Sequence, residues 1–154
     1  MTYPEPAVAQ LVQESFIPVQ INTQEEAAKP IIERYRQAWT PDIRVLGPDG
    51  FDYGGWNGYL PPFEYVPQLL AAEGRARLRM GDLPRAAEVY GDVFRRFPTS
   101  ALAPEALYYL AVSKYKASHE GKDLVGTWHR LQTTYPASIW RVKQSFSENK
   151  RPGE

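Results

Sequence analysis

Apolar positions run along the chain with two different periods. Val8, Leu11, Val12 and Phe16 stand at helical spacing, with Gln10, Gln13 and Glu14 between them. This spacing predicts an amphipathic helix over Pro6–Ser15. Phe16-Ile17-Pro18-Val19-Gln20-Ile21-Asn22 is short, apolar and rich in β-branched residues, and it reads as a strand. Pro18 confines that strand to an edge, or makes it begin there, because proline has no N–H for a ladder. Thr23-Gln24-Glu25-Glu26 has capping-box spacing, but Pro30 disfavours helical geometry at Lys29. A short turn and then a helix from about Pro30 to Ala38 are expected, burying Ile31, Ile32, Tyr35 and Trp39. Thr40-Pro41 ends it. Ile43-Arg44-Val45-Leu46 alternates like a strand, Gly47-Pro48-Asp49-Gly50 is a strong turn signal, and Phe51-Asp52-Tyr53 returns. Residues 43–53 therefore read as a β-hairpin, and Gly54-Gly55-Trp56-Asn57-Gly58 as loose chain.

From Phe63 onward only the helical period is present. Helices are expected over about 63–80, 83–96, 103–117, 122–134 and 138–146. The breaks are Gly81-Asp82, Phe97-Pro98-Thr99-Ser100, Glu120-Gly121 and Tyr135-Pro136-Ala137-Ser138. Pro84 and Pro104 fall in first turns, where a missing N–H costs nothing. The phrases beginning at Phe97 and Tyr135 recur with a spacing of 38, which suggests a repeated helix pair.

Composition narrows the chemistry. The 154 residues hold 18 Lys+Arg and 18 Asp+Glu, so no cationic surplus points to nucleic acid or to an anionic membrane. No apolar run approaches the ~20 residues of a membrane span, and no charged and then apolar leader is present. Cytoplasmic is the default expectation. There is no cysteine, which removes disulfides, thiolate metal ligands and thiol nucleophiles together. The two histidines, His119 and His129, fall in a polar turn and off an apolar stripe, so both read as surface residues rather than ligands. No cofactor and no metal site is expected.

The order helix, strand, helix, Thr-Pro, hairpin, helix resembles a thioredoxin-like domain from its first helix onward. The phrases that carry the resemblance are Thr2-Tyr3-Pro4-Glu5-Pro6-Ala7-Val8, Phe16–Asn22, Trp39-Thr40-Pro41, Gly47–Gly50 and Gly58-Tyr59-Leu60-Pro61-Pro62. It covers residues 1 to about 70. The resemblance implies that Trp39, Thr40 and Pro41 form a cis-proline loop able to meet an extended peptide. It also implies that a first strand and a Cys-x-x-Cys turn would lie before Met1, leaving an edge at Ile17–Ile21 open to pairing, in a homodimer for example. Asp42 stands where a small hydroxyl or apolar residue is usual. The second half is similar to tetratricopeptide repeats: Gly74, Gly81, Asp82, Ala86, Tyr90 and Pro98 fall at that pattern's offsets, while Arg77 stands where an aromatic is usual. Small residues such as Ala86 and Ala111 would let helices approach, and large ones such as Tyr90 and Trp128 would fill the gaps.

The expected fold class is α+β. A truncated thioredoxin-like layer over 1–68 is followed by tetratricopeptide-like helix pairs over 69–146 and a flexible tail over 147–154. Trp56, Tyr108 and Tyr109 are candidates for an interaction surface, against the plainer reading that they pack inside. The expected function is a non-catalytic protein-interaction module with a protein or peptide partner. The alternative is a thiol–disulfide oxidoreductase whose Cys-x-x-Cys turn lies upstream of Met1. Glu25 and Glu26 read as first-turn helix charges; Asp42 and Asp52 could approach each other on the hairpin, but exposed charge on the strand edge is the better reading.

Overall fold

The amphipathic stretch at the start forms helix α1 (Pro6–Ser15), with Val8 buried and Pro6 in the first turn, where it sacrifices no hydrogen bond. The computed structural model describes residues 5–144; the expected tail 147–154 and the last residues of the helix expected over 138–146 lie outside them. The chain divides within a helix into two compact units, one ending at Val66 and the other beginning at Pro67.

In the first unit, α1 gives way to Phe16–Asn22, which is not a strand. The main-chain groups of Ile17–Ile21 make no hydrogen bond to any other described residue. The composition suits a strand, but a strand needs a neighbour, and here no ladder runs beside it. Asn22 Oδ1 accepts from the Gln24 amide at 3.1 Å, so Asn22 rather than Thr23 caps the next turn. A 3₁₀ turn (Glu26–Ala28) leads directly into α2 (Lys29–Tyr35), with Lys29 already helical despite Pro30.

Helix α2 stops three residues short of Ala38. Arg36 takes a left-handed φ of 49°, and the amides of Arg36 and Gln37 return to Glu33 O and Ile32 O in a closing turn. Trp39 is thereby carried off the helix and is 70% exposed, not buried on its inner side, and Ile31 is likewise exposed.

Strands β1 (Asp42–Leu46) and β2 (Asp52–Asn57) pair antiparallel, Ile43 opposite Trp56 and Val45 opposite Gly54, with an irregularity between Val45 and Leu46. The turn is tied by Gly50 N to Gly47 O (2.9 Å) and Gly47 N to Phe51 O (2.8 Å). The returning strand runs on through Gly54–Asn57, which the sequence suggests is loose. The glycines are there for fit: a Cβ at Gly55 would stand 1.9 Å from Ile43 O, and Gly54 takes a φ of 125° at the irregularity.

The second unit is helical throughout. Helix α3 (Pro62–Met80) enters it at Pro67, followed by α4 (Leu83–Arg96), α5 (Ala103–Ser118), α6 (Gly121–Thr134) and the short α7 (Ile139–Lys143). Helix α5 packs against both α4 and α6. Phe94, Leu107 and Leu131 form a buried cluster, with Tyr108, Leu110, Tyr135 and Trp140 packed round it. Ala86, Ala103, Ala106 and Ala111 are fully buried where helices approach closely. The structure is thus mostly helical: a two-stranded hairpin, then packed helix pairs.

The two recurring phrases fold alike. Phe97 and Tyr135 end α4 and α6 with φ/ψ of −131°/54° and −130°/59°. Each amide returns to the carbonyl four residues back, at 2.9 Å, and each aromatic carbonyl accepts from the serine amide three residues on, at 3.0 Å. Ser100 Oγ then accepts from Leu102 N at 3.1 Å, and Ser138 Oγ from Trp140 N at 3.2 Å. The Tyr135 hydroxyl donates to Pro98 O at 2.6 Å, joining one copy to the other.

Candidate functional site

Two groups of residues stand out, one in each unit. In the first, Gln37, Ala38, Trp39 and Thr40 line a shallow open depression. Gln37 Nε2 holds the loop by donating to Trp39 O (3.4 Å) and to Thr40 Oγ1 (3.3 Å). The Thr40–Pro41 peptide bond is cis, and Pro41 O accepts from Gly58 N at 2.8 Å. Trp39 is open to solvent. Trp56 is half-buried instead, its ring edge-on to Tyr65 with centroids 5.2 Å apart, so it packs rather than stands out as an anchor.

Behind this loop lies a charge cluster that the sequence conceals. Arg44 binds Asp42 (3.0 Å) and Asp52 (2.6 Å) and lies over the Tyr35 ring at 5.4 Å. Asp42 and Asp52 are consequently not free edge charges; each anchors one end of the hairpin through the same guanidinium. The hydrogen bond to Asp42 holds the Arg44 pKa above its usual range, against the opposing effect of burial. Alternation along a strand gives the side on which a residue lies, but it does not reveal that Asp42, Arg44 and Asp52 meet.

In the second unit, Tyr108 and Tyr109 belong to a connected set of rings. Tyr109 stacks on Tyr90 (5.5 Å) and Tyr108 on Trp128 (5.6 Å), and both touch Trp140 at 5.3 Å. Tyr90 and Trp128 are buried, while Tyr108, Tyr109 and Trp140 are half-exposed. These three therefore serve both readings at once: they pack on the core and present an outer surface. Lys143 Nζ sits 3.7 Å over the Trp140 ring, and Lys143 and Arg79 are exposed.

An ion pair crosses the same helices. Arg75 on α3 meets Glu105 on α5 at 2.8 Å, with both side chains largely covered. Burial disfavours the Arg75 charge, but the hydrogen bond and charge of Glu105 outweigh it and hold its pKa up. Burial also pushes the Tyr90 phenol far above its ordinary range, and raises Tyr109 with help from Glu105. Nearby, the buried Glu73 places one carboxylate oxygen 3.3 Å from Arg85 and 3.7 Å from Arg77. The spacing of Glu73 and Arg77 on one helix face is readable from the sequence, but the links from Glu73 to Arg85 and from Arg75 to Glu105, 30 positions apart, are not.

His119 ends α5 in a left-handed turn and His129 is exposed. Among the described residues no group of three or more His, Asp or Glu is placed to hold a metal ion, and no helix is long and apolar enough to cross a membrane. Compared with models of known protein families, with curated proteins and with solved structures, the chain gives no match.

Proposed function

We propose that the chain is a non-catalytic protein-interaction module whose helical unit is built as tetratricopeptide-like pairs. The observation that carries this reading is the half-exposed Tyr108–Tyr109–Trp140 surface, backed by buried rings and flanked by Lys143 and Arg79. Rigid aromatics held from behind lose little entropy on binding, and they are the side chains that dominate interface energetics. Arg75 is neutralised by Glu105, so Lys143 and Arg79 set the sign of the surface. The matching ligand is an extended peptide that carries acidic and apolar side chains.

The like geometry of the two helix ends at Phe97 and Tyr135 supports the repeat reading. The thioredoxin-like reading of the first unit rests on the order helix, hairpin, helix and on the Trp39-Thr40-Pro41 loop. The oxidoreductase alternative rests on that resemblance alone, since the chain holds no cysteine.

The test is a peptide array probed with the full chain, followed by affinity measurement on the best sequences. Trp140→Ala and Lys143→Glu should each weaken binding at least about tenfold while the helical circular dichroism stays unchanged. Retention of full affinity by both variants would remove this surface from consideration.

A further inference from the structure

We propose that Phe16–Asn22 pairs with the same segment of a second copy, as an antiparallel two-stranded bridge centred on Val19. This goes beyond the interaction reading of the helical unit and does not rest on it. The segment leaves α1 in an extended conformation at Phe16 (φ −136°, ψ 159°). Ile17 and Val19 are 93% and 78% exposed and Ile21 is 40% exposed. These are β-branched aliphatics at alternate positions, with main-chain groups unpaired among the described residues. Such a stretch lacks only a neighbouring strand.

Pro18 selects which edge can pair. In an antiparallel ladder, alternate residues turn both N–H and C=O toward the partner. Pro18 has no N–H, so the competent edge is the one carrying Ile17, Val19 and Ile21. On the opposite edge the ladder would be missing a donor. Growth past two strands is thereby opposed, and a closed two-fold pair results rather than a fibre.

A two-fold axis at Val19 sets Val19 against Val19 of the other copy and Ile17 against Ile21, with about six main-chain hydrogen bonds. An axis at Pro18 would pair Ile17 with Val19 but leave Ile21 against Ser15, and one at Gln20 would pair Val19 with Ile21 but leave Ile17 against Thr23, so only the axis at Val19 pairs all three aliphatics. Ser15–Gln24 carries no charge, so no like charges meet inside the paired stretch. A two-fold axis across the strands makes the two copies run antiparallel. The whole chain has a net charge of zero, so no overall repulsion opposes two copies.

Sedimentation of the full chain across a concentration series tests this. The sedimenting mass should double with concentration. Val19→Pro should stay at single-chain mass, because it removes a donor facing the partner, whereas Gln20→Pro, whose N–H faces away, should still double. In this cysteine-free chain Val19→Cys places two thiols across the axis at a separation a disulfide accepts, and should cross-link on mild oxidation several-fold faster than Gln20→Cys. That comparison holds even if a proline variant disturbs the fold. A single-chain mass at every concentration, equal behaviour of the two proline variants, or equal cross-linking at both positions would overturn the proposal. So would mass growing beyond two copies, or a chain that stays single until an unrelated extended peptide is added.

Discussion

The ring of Tyr90 on α4 lies flat against the backbone of α3 at Gly74. A Cβ built at Gly74 would meet three atoms of that ring at 3.0–3.1 Å. The glycine is what lets the two helices close over a fully buried tyrosine, whose ring also stacks on Tyr109. Within a helix, glycine ordinarily costs about 1 kcal/mol relative to alanine, and only such a close approach makes it worth keeping. Gly74→Ala should therefore lower the urea stability of the helical unit by about 1 kcal/mol or more, because the ring is hemmed in and cannot retreat. Gly126→Ala on α6, where nothing lies within 4 Å of the added carbon, should raise it by up to ~1 kcal/mol. Equal effects of the two substitutions would refute the account of Gly74.

The Tyr90 hydroxyl is buried and has no hydrogen-bond partner among the described residues. Tyr90→Phe removes a desolvated polar group while keeping the ring, so it should leave stability at neutral pH unchanged or raise it by about 1 kcal/mol. The pH dependence has a definite sign. The folded pKa lies above the unfolded value of about 10, so both states are protonated below pH ~10 and the group has no effect there. Above it the unfolded chain releases a proton that the folded chain retains, and stability falls as pH rises. Denaturant midpoints taken at increasingly alkaline pH should show that fall, and Tyr90→Phe should make it shallower.

Arg44 carries the charge balance of the hairpin. Arg44→Met would leave Asp42 and Asp52 facing each other without their shared cation, and should cost about 2 kcal/mol of local stability. Amide exchange of β1 and β2 would report the loss. Adding Asp52→Asn to Arg44→Met should restore part of it, a coupling that two independent surface charges would not show.

Trp39 has few contacts to lose. Trp39→Ser should change the melting of the chain by less than about 0.5 kcal/mol, a size typical of exposed positions. Of the four tryptophans it is the most open, so the same substitution should remove most of the iodide-quenchable fluorescence. Quenching that persisted undiminished would place the exposed indole at another tryptophan.

Much of the helical half was legible in the sequence. Helices α4 to α6 begin and end within a residue of where apolar spacing, first-turn prolines and glycine breaks put them, and the repeat at Phe97 and Tyr135 announced its shared cap. These signals are local: a turn of helix satisfies its own backbone, so the residues that encode it lie side by side. The aromatic residues of the candidate surface could be named, but not which of their faces would be buried.

Tertiary structure decided what depends on a distant neighbour. Phe16–Asn22 has the composition of a strand and is not one, because a strand's hydrogen bonds belong to another segment. Gly54-Gly55 looked loose and is paired, because Ile43 approaches Gly55 too closely for any side chain. Trp39 left its expected face when Arg36 turned left-handed, and Arg44, Arg75 and Glu73 acquired partners from other elements. By itself the sequence determined the helices of the second unit and the breaks between them. The fold chose the ion pairs and the exposed rings, because Coulombic and packing contacts depend on separation in space, which spacing along the chain does not record.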